Sequence, residues 1–349
     1  MEKRDLSIDY ARAVAVMMMV LQHVCIFLHQ KNITVTYTSA VLVEIITMIT
    51  KSAVPLFVII TGSVLLNDEK TFSIKKGIKL SGKMICIILV WNVINAIYFY
   101  FADGLKTSMG KLIYGNYWYL YMLVALYLLM PIVNLLTKDF RDTKIPLYVI
   151  FLTIAYELWL SYSLVMPEFI SKYASRLVDK FQVSLVTGYT GLLLLGFLIR
   201  KEYSRIQINK TKLRIAFFCI MLLIAGLFGY SIFTAVRNNK YNYVYFDEFT
   251  AVIIAGIIFF AFLRRKQVFY KIGGRTGELF KKLILFIGTH SLGIYVVSNL
   301  ILDVFKRLVI SIESFPNLVI GIVTCWIMLM LPSCVIVWIL DKTPLKRIV

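Results

Sequence analysis

Apolar stretches about as long as one bilayer crossing alternate along this chain with short, mostly basic connections. A helix needs about 20 apolar residues to traverse a hydrocarbon core roughly 30 Å thick. By that measure the pattern predicts ten spans, at roughly residues 8–29, 39–66, 80–101, 117–136, 146–165, 183–200, 214–235, 248–264, 283–304 and 317–340. An even number puts both termini on one side, and the basic tail Asp341-Lys-Thr-Pro-Leu-Lys-Arg347 puts that side in the cytoplasm. No soluble domain, low-complexity linker or clear internal repeat interrupts the pattern. The expected fold is an all-α, polytopic integral membrane bundle of about ten transmembrane helices, one domain over residues 1–349, in the plasma or inner membrane.

Composition agrees: 60% of the 349 residues are hydrophobic and only 16% charged, which excludes a water-soluble enzyme and a disordered chain. The net charge of +19 would suggest nucleic acid in a soluble protein. Here the expected cytoplasmic segments hold well over twice the Lys and Arg of the outer ones, so membrane topology accounts for the excess and nucleic acid is dropped as a partner. All five cysteines fall in apolar runs without metal-ligand spacing, so buried thiols are expected and no metal site. The first apolar segment lacks an A-x-A cleavage site and carries charges, so it is expected to be a retained helix.

Ionisable groups inside spans cost at least about 2.5–3.5 kcal/mol each, so each needs a reason. The first span holds Asp9, Arg12 and His23. At about 100° per residue, the eleven steps from Arg12 to His23 make three turns plus roughly 20°, with a rise of about 16 Å, and Asp9 falls about 40° to the other side. All three share one face. Either Arg12 snorkels to the interface, paired with Asp9, while His23 makes an interhelical hydrogen bond; or a cytoplasmic cation and a deep imidazole line a shaft. A neutral imidazole near pH 7 suits a general base acting on a hydroxyl. His29 lies off this face and is expected at the interface.

The second span carries Glu44, Lys51 and Pro55, with Glu44 and Lys51 about 10 Å apart along nearly one face. These either stabilise packing or line the entry of a polar substrate, and Pro55 is expected to bend the helix. Lys75-Lys76-Gly-Ile-Lys79 opens the third span, either facing lipid headgroups or forming a phosphate clamp beside Arg12. The Gly-rich stretch KIGGRTGELFKK lacks P-loop spacing and carries little weight.

Together these segments resemble the membrane-bound acyltransferase 3 family. IDYARAVAVMMMVLQH resembles that family's first helix, with Arg12 and His23 at the Arg, ten residues, His spacing. VPLFVIITGSVLL resembles the second-helix pattern through Lys51 and Pro55, with Thr61-Gly62 where Ser-Gly is usual. Lys76 and Lys79 match a basic pair placed in the loop that follows. Trp118-Tyr119-Leu120 resembles the fourth-helix signature, and Gly288, Ser291 and Tyr295 a late Gly-x-x-Ser-x-x-Ile-Tyr segment. Two positions depart from the pattern, Ser298 and Asn116 standing where His is common, so a different acceptor is expected if those positions contact it.

The resemblance implies acyl transfer, usually of acetyl, from cytoplasmic acyl-CoA to a hydroxyl of a surface carbohydrate or lipid-linked glycan. Acetyl-CoA or another acyl-CoA is then a co-substrate, and no permanently bound cofactor is expected. It implies His23 as base with Asp9 nearby, Arg12, Lys76 and Lys79 on the acyl-donor side, and Glu44, Lys51, Trp118, Tyr119 and Tyr295 toward the substrate. Membrane lipids are the other expected partners. Direct transfer and an acyl-His23 intermediate are both open. Intramembrane charges and a broken helix also suit a transporter or flippase for a polar glycan or metabolite, and a non-catalytic subunit of a glycan assembly complex is a third reading.

Overall fold

The computed structural model describes residues 5–30, 37–66, 71–113, 117–138, 144–163, 188–203, 210–237, 247–265, 274–307 and 318–344, with a few isolated positions besides. Among the described residues the chain is helical throughout, without strands. Among the described residues, a helix overlaps each apolar stretch of the sequence. Five stretches are long and apolar enough to cross a membrane: Leu6–Ile26, Val41–Leu65, Ile74–Asp103, Leu105–Thr137 and Leu318–Asp341. A bent pair, Thr276–Thr289 with Ser291–Lys306, passes the same test as one broken unit.

The residues group into two compact units interleaved along the chain. The first comprises residues 1–11, 25–65 and 141–272, the second residues 12–24, 66–140 and 273–349. Helix α1 (Leu6–Gln30) contributes to both.

In the first unit, α2 (Tyr37–Thr50) and α3 (Ala53–Leu65) are followed by α7 (Lys144–Ser163), α8 (Tyr189–Tyr203), α9 (Lys210–Arg237) and α10 (Asp247–Arg264). The sequence predicts one bent span over 39–66; the structure divides it at Lys51-Ser52, before Pro55. Pro55 then occupies the first turn of α3, where its missing N–H breaks no ladder bond. Thr50 Oγ1 and Ser52 Oγ donate to the carbonyls of Ile46 (2.8 Å) and Ile49 (2.6 Å), satisfying the end of α2. Helices α3 and α8 touch through glycine: a Cβ on Gly62 would strike the backbone of Leu193, and one on Gly196 the carbonyl of Ile59. Without a hydrophobic force between helices in lipid, such close backbone approach supplies the packing energy. Arg200 Nη1 donates to the Ser63 carbonyl at 2.9 Å, capping the last turn of α3.

In the second unit, α4 (Ile74–Asp103) packs on α5 (Leu105–Ile113) and α6 (Trp118–Lys138), and α12 (Ser291–Arg307) packs on α11 (Arg275–Thr289) and α13 (Leu318–Asp341). The predicted span 283–304 is not straight, because α11 and α12 meet at His290 with a bend of 77°. Large apolar side chains such as Leu89, Val93, Ile132 and Leu331 are exposed, as lipid contact requires. Ser73 caps α4, its Oγ accepting from the Lys76 amide at 3.2 Å. The helix therefore begins six residues before the predicted span, and Lys75, Lys76 and Lys79 lie in its first two turns rather than in a loop.

Candidate active site

Within the second unit, His23 projects from α1 with its Nδ1 atom buried and without a hydrogen-bond partner. The imidazole lies 6.3 Å from the Tyr295 ring of α12, centroid to centroid, at an interplanar angle of 40°. Tyr119 and Tyr117 meet Tyr295 edge-on at 5.6 and 6.3 Å. All three tyrosines are buried, Tyr117 completely. The Tyr295 hydroxyl lies near the Asn299 side chain and the Tyr119 backbone but makes no hydrogen bond of good geometry. Asn95 Nδ2 donates to Tyr117 Oη at 2.6 Å and to the Trp91 carbonyl at 3.0 Å, which fixes the Tyr117 ring against α4. Lys306 stands within electrostatic reach of His23. Asp303 holds it at 3.7 Å and also meets Lys111 at 3.9 Å. Lys111 in turn caps the Phe99 ring at 4.6 Å.

A second group of residues lies farther along the same helices. Arg12 is within electrostatic reach of the Tyr127 phenol on α6. The Tyr127 carbonyl abuts Gly77 so closely that a Cβ there would stand 2.7 Å from the oxygen. Gly77 sits between Lys76 and Lys79, both exposed, with Lys76 Nζ 4.8 Å above the Phe72 ring. No acidic residue occupies the first turn of α4. Its free amides and the positive end of its dipole therefore add to the lysines, and this end attracts anions.

These contacts set the spacing of the two groups. On α1, Arg12 and His23 are about 16 Å apart; on α6, Tyr127 and Tyr119 are about 12 Å apart in the opposite chain direction. The two helices are thus antiparallel, with a cationic end at Arg12, Tyr127 and Lys76 and an imidazole-phenol end at His23, Tyr119 and Tyr295. Between them, Trp326 Nε1 of α13 donates to the Met17 carbonyl at 3.0 Å and anchors α1.

The remaining sequence-predicted residues are described each within its own unit. Trp118 is 54% exposed and turns outward, although Tyr119 beside it is buried. Asp9, Glu44 and Lys51 belong to the first unit, where Asp9 and Glu44 are buried and Glu44 Oε1 has no hydrogen-bond partner. Ser298 turns its Oγ to the Tyr295 carbonyl at 2.9 Å. Asn116 and the His29 side chain lie outside the described residues. Sequence reasoning missed Tyr117, Asn92, Asn95, Tyr127, Asp303 and Lys306. The available signal was polarity inside apolar helices, Asn92 and Asn95 three apart on α4 and Asp303 and Lys306 three apart on α12.

The family profile described as an acyltransferase domain, Acyl_transf_3, matches residues 5–340. The chain belongs to the acyltransferase 3 family. Neither the curated proteins nor the solved structures yield a match. Acyltransferase 3 membership and the apolar helices identify a multi-pass membrane acyltransferase. The matched region includes α1, α4, α6 and α12.

Proposed function

We propose that this acyltransferase moves an acetyl or other short acyl group from cytoplasmic acyl-CoA to a hydroxyl of an extracytoplasmic or lipid-linked carbohydrate. Ten spans with both termini cytoplasmic, in the plasma or inner membrane, are part of this reading. What supports it is the spacing of a cationic end and an imidazole end along α1 and α6, about 16 Å on α1. CoA presents phosphates that suit Lys76, Lys79, Arg12 and the α4 N-terminus. Its pantetheine arm spans such a distance and delivers the thioester beside His23.

In this mechanism His23 accepts the proton of the acceptor hydroxyl as that oxygen attacks the thioester carbonyl. The tetrahedral intermediate collapses by breaking the C–S bond, and the departing CoA thiolate takes the proton back from the imidazolium. Lys306 offers a positive charge to the oxyanion. Asp9 shares its helix with Arg12 and balances charge at the donor end. Transfer through an acyl-His23 intermediate uses the same residues in two steps. Glu44 and Lys51 are read as lining the entry of the polar substrate.

The test is free-thiol release from acetyl-CoA by protein in nanodiscs, wild type beside His23→Ala, with calorimetric binding of acetyl-CoA. Turnover that falls by about 10²–10⁴-fold in a folded variant is the expected result. Wild-type protein that neither binds nor cleaves acetyl-CoA would sink the reading.

A further inference from the structure

Asn92 and Asn95 are 2% and 1% exposed, three residues apart on α4. Asn95 Nδ2 donates to the Trp91 carbonyl at 3.0 Å and Asn92 Nδ2 to the Leu112 carbonyl of α5 at 3.2 Å. A carbonyl can only accept, so neither amide can exchange its N and O without losing these bonds. Both Oδ1 atoms are then left buried with no donor. A buried acceptor without a partner is costly, and two neighbouring ones call for an explanation.

We propose that Asn92 Oδ1 and Asn95 Oδ1 form a subsite that receives the hydroxyls of a neutral, polyhydroxylated acceptor. The inference rests on the acyltransferase reading above and names where the acceptor is held. The chemistry selects the ligand class. Two orphan carbonyl oxygens accept hydrogen bonds and repel anions, so a phosphate, sulfate or carboxylate is unsuited whereas a sugar ring supplies the missing O–H donors. The surroundings suit a sugar as well, with Tyr121 Oη accepting from Asn92 Nδ2 at 3.2 Å and Tyr117 Oη from Asn95. Aromatic faces pack on the C–H faces of such rings. Tyr117 packs on Tyr295 and Tyr295 on His23, so two rings link Asn95 to the base. The nine residues of α5 cover this face, with Ser108 Oγ donating to the Ala96 carbonyl at 2.7 Å. They follow Gly104, whose φ is 82°.

Asn92→Leu and Asn95→Leu test this. Three quantities are read: acceptor-independent thiol release from acetyl-CoA in nanodiscs, the melting temperature, and incorporation of labelled acetyl from acetyl-CoA into glycans of source-cell membranes carrying each variant. The expected result is a loss of label transfer at least tenfold greater than any loss of thiol release, with a modest fall in melting temperature because the Leu112 carbonyl and the Tyr117 hydroxyl lose a donor. Unchanged label transfer overturns the subsite. So does a loss of transfer no greater than the loss of thiol release, which marks a purely structural pair. If the leucine variants do not fold, Asn92→Ala and Asn95→Ala take their place, and the same outcomes support or overturn the subsite. Wild-type protein inactive on acetyl-CoA defeats the acyltransferase reading itself, whereas active wild type with unaffected variants defeats this inference alone.

Discussion

His23 of α1 and Tyr295 of α12, 272 positions apart in the chain, meet with ring centroids 6.3 Å apart. The contact makes Tyr295 the side chain through which the packing of α4 and α6 reaches the imidazole. Tyr117 and Tyr119 hold it from one side, and Asn95 holds Tyr117.

Tyr295→Phe separates the two uses of this ring. It keeps the edge-on contacts and removes the hydroxyl, so thermal stability is expected to stay near wild type while acyl transfer falls several-fold. Tyr295→Ala removes the ring from a buried site and costs about 3–5 kcal/mol, by analogy with other buried aromatics. Melting curves beside thiol-release rates check both, and a Phe variant as fast as wild type would confine Tyr295 to packing.

Lys76→Gln with Lys79→Gln removes cations at the α4 N-terminus without touching the imidazole end. Acetyl-CoA binding is expected to weaken and to lose part of its salt dependence. Binding of acetyl-pantetheine, which lacks the phosphates, is expected to stay unchanged. Calorimetry with both ligands decides; equal loss for the two would move the lysines away from phosphate recognition.

The glycine contacts of the first unit give a stability prediction. Gly62→Ala and Gly196→Ala place a methyl group into the backbone of the facing helix, and overpacking of this kind costs about 1–3 kcal/mol. Gly226→Ala and Gly229→Ala meet nothing within 4 Å and are expected to be neutral or mildly stabilising. Thermal denaturation in one detergent ranks the four, and a reversed order would contradict the α3–α8 crossing.

Arg200→Met keeps much of the apolar stem and removes the donor to the Ser63 carbonyl. A charged hydrogen bond of this type is worth about 1.5–3 kcal/mol when buried, and partial exposure reduces it toward about 1 kcal/mol. The expected signature is a lower melting temperature with acetyl-CoA affinity retained.

Helix positions are legible in the sequence because an apolar run of bilayer length has few alternatives, and among the described residues a helix overlaps each such run. Arg12 and His23 are legible because charge inside such a run is costly and helical periodicity alone puts them on one face. The start of α4 is less so, for a local reason. Hydropathy counts Lys75, Lys76 and Lys79 as loop, whereas the Ser73 cap admits them to the helix. Pro55 signals a break, but the break falls at Lys51-Ser52, since proline is tolerated in a first turn.

What one chain determines by itself is the length, order and polarity of its helices, because backbone hydrogen bonding in lipid leaves each span no other conformation. Neighbours are a different matter. Lipid is as apolar as a leucine face, so nothing in the apolar pattern says which helix covers which. Only packing brought Tyr127 between Arg12 and Gly77, set Tyr295 beside His23, turned Trp118 outward and Tyr119 inward, and left the Asn92 and Asn95 oxygens without donors. Those outcomes depend on close contacts between residues far apart in sequence, and such contacts exist only once the helices have assembled.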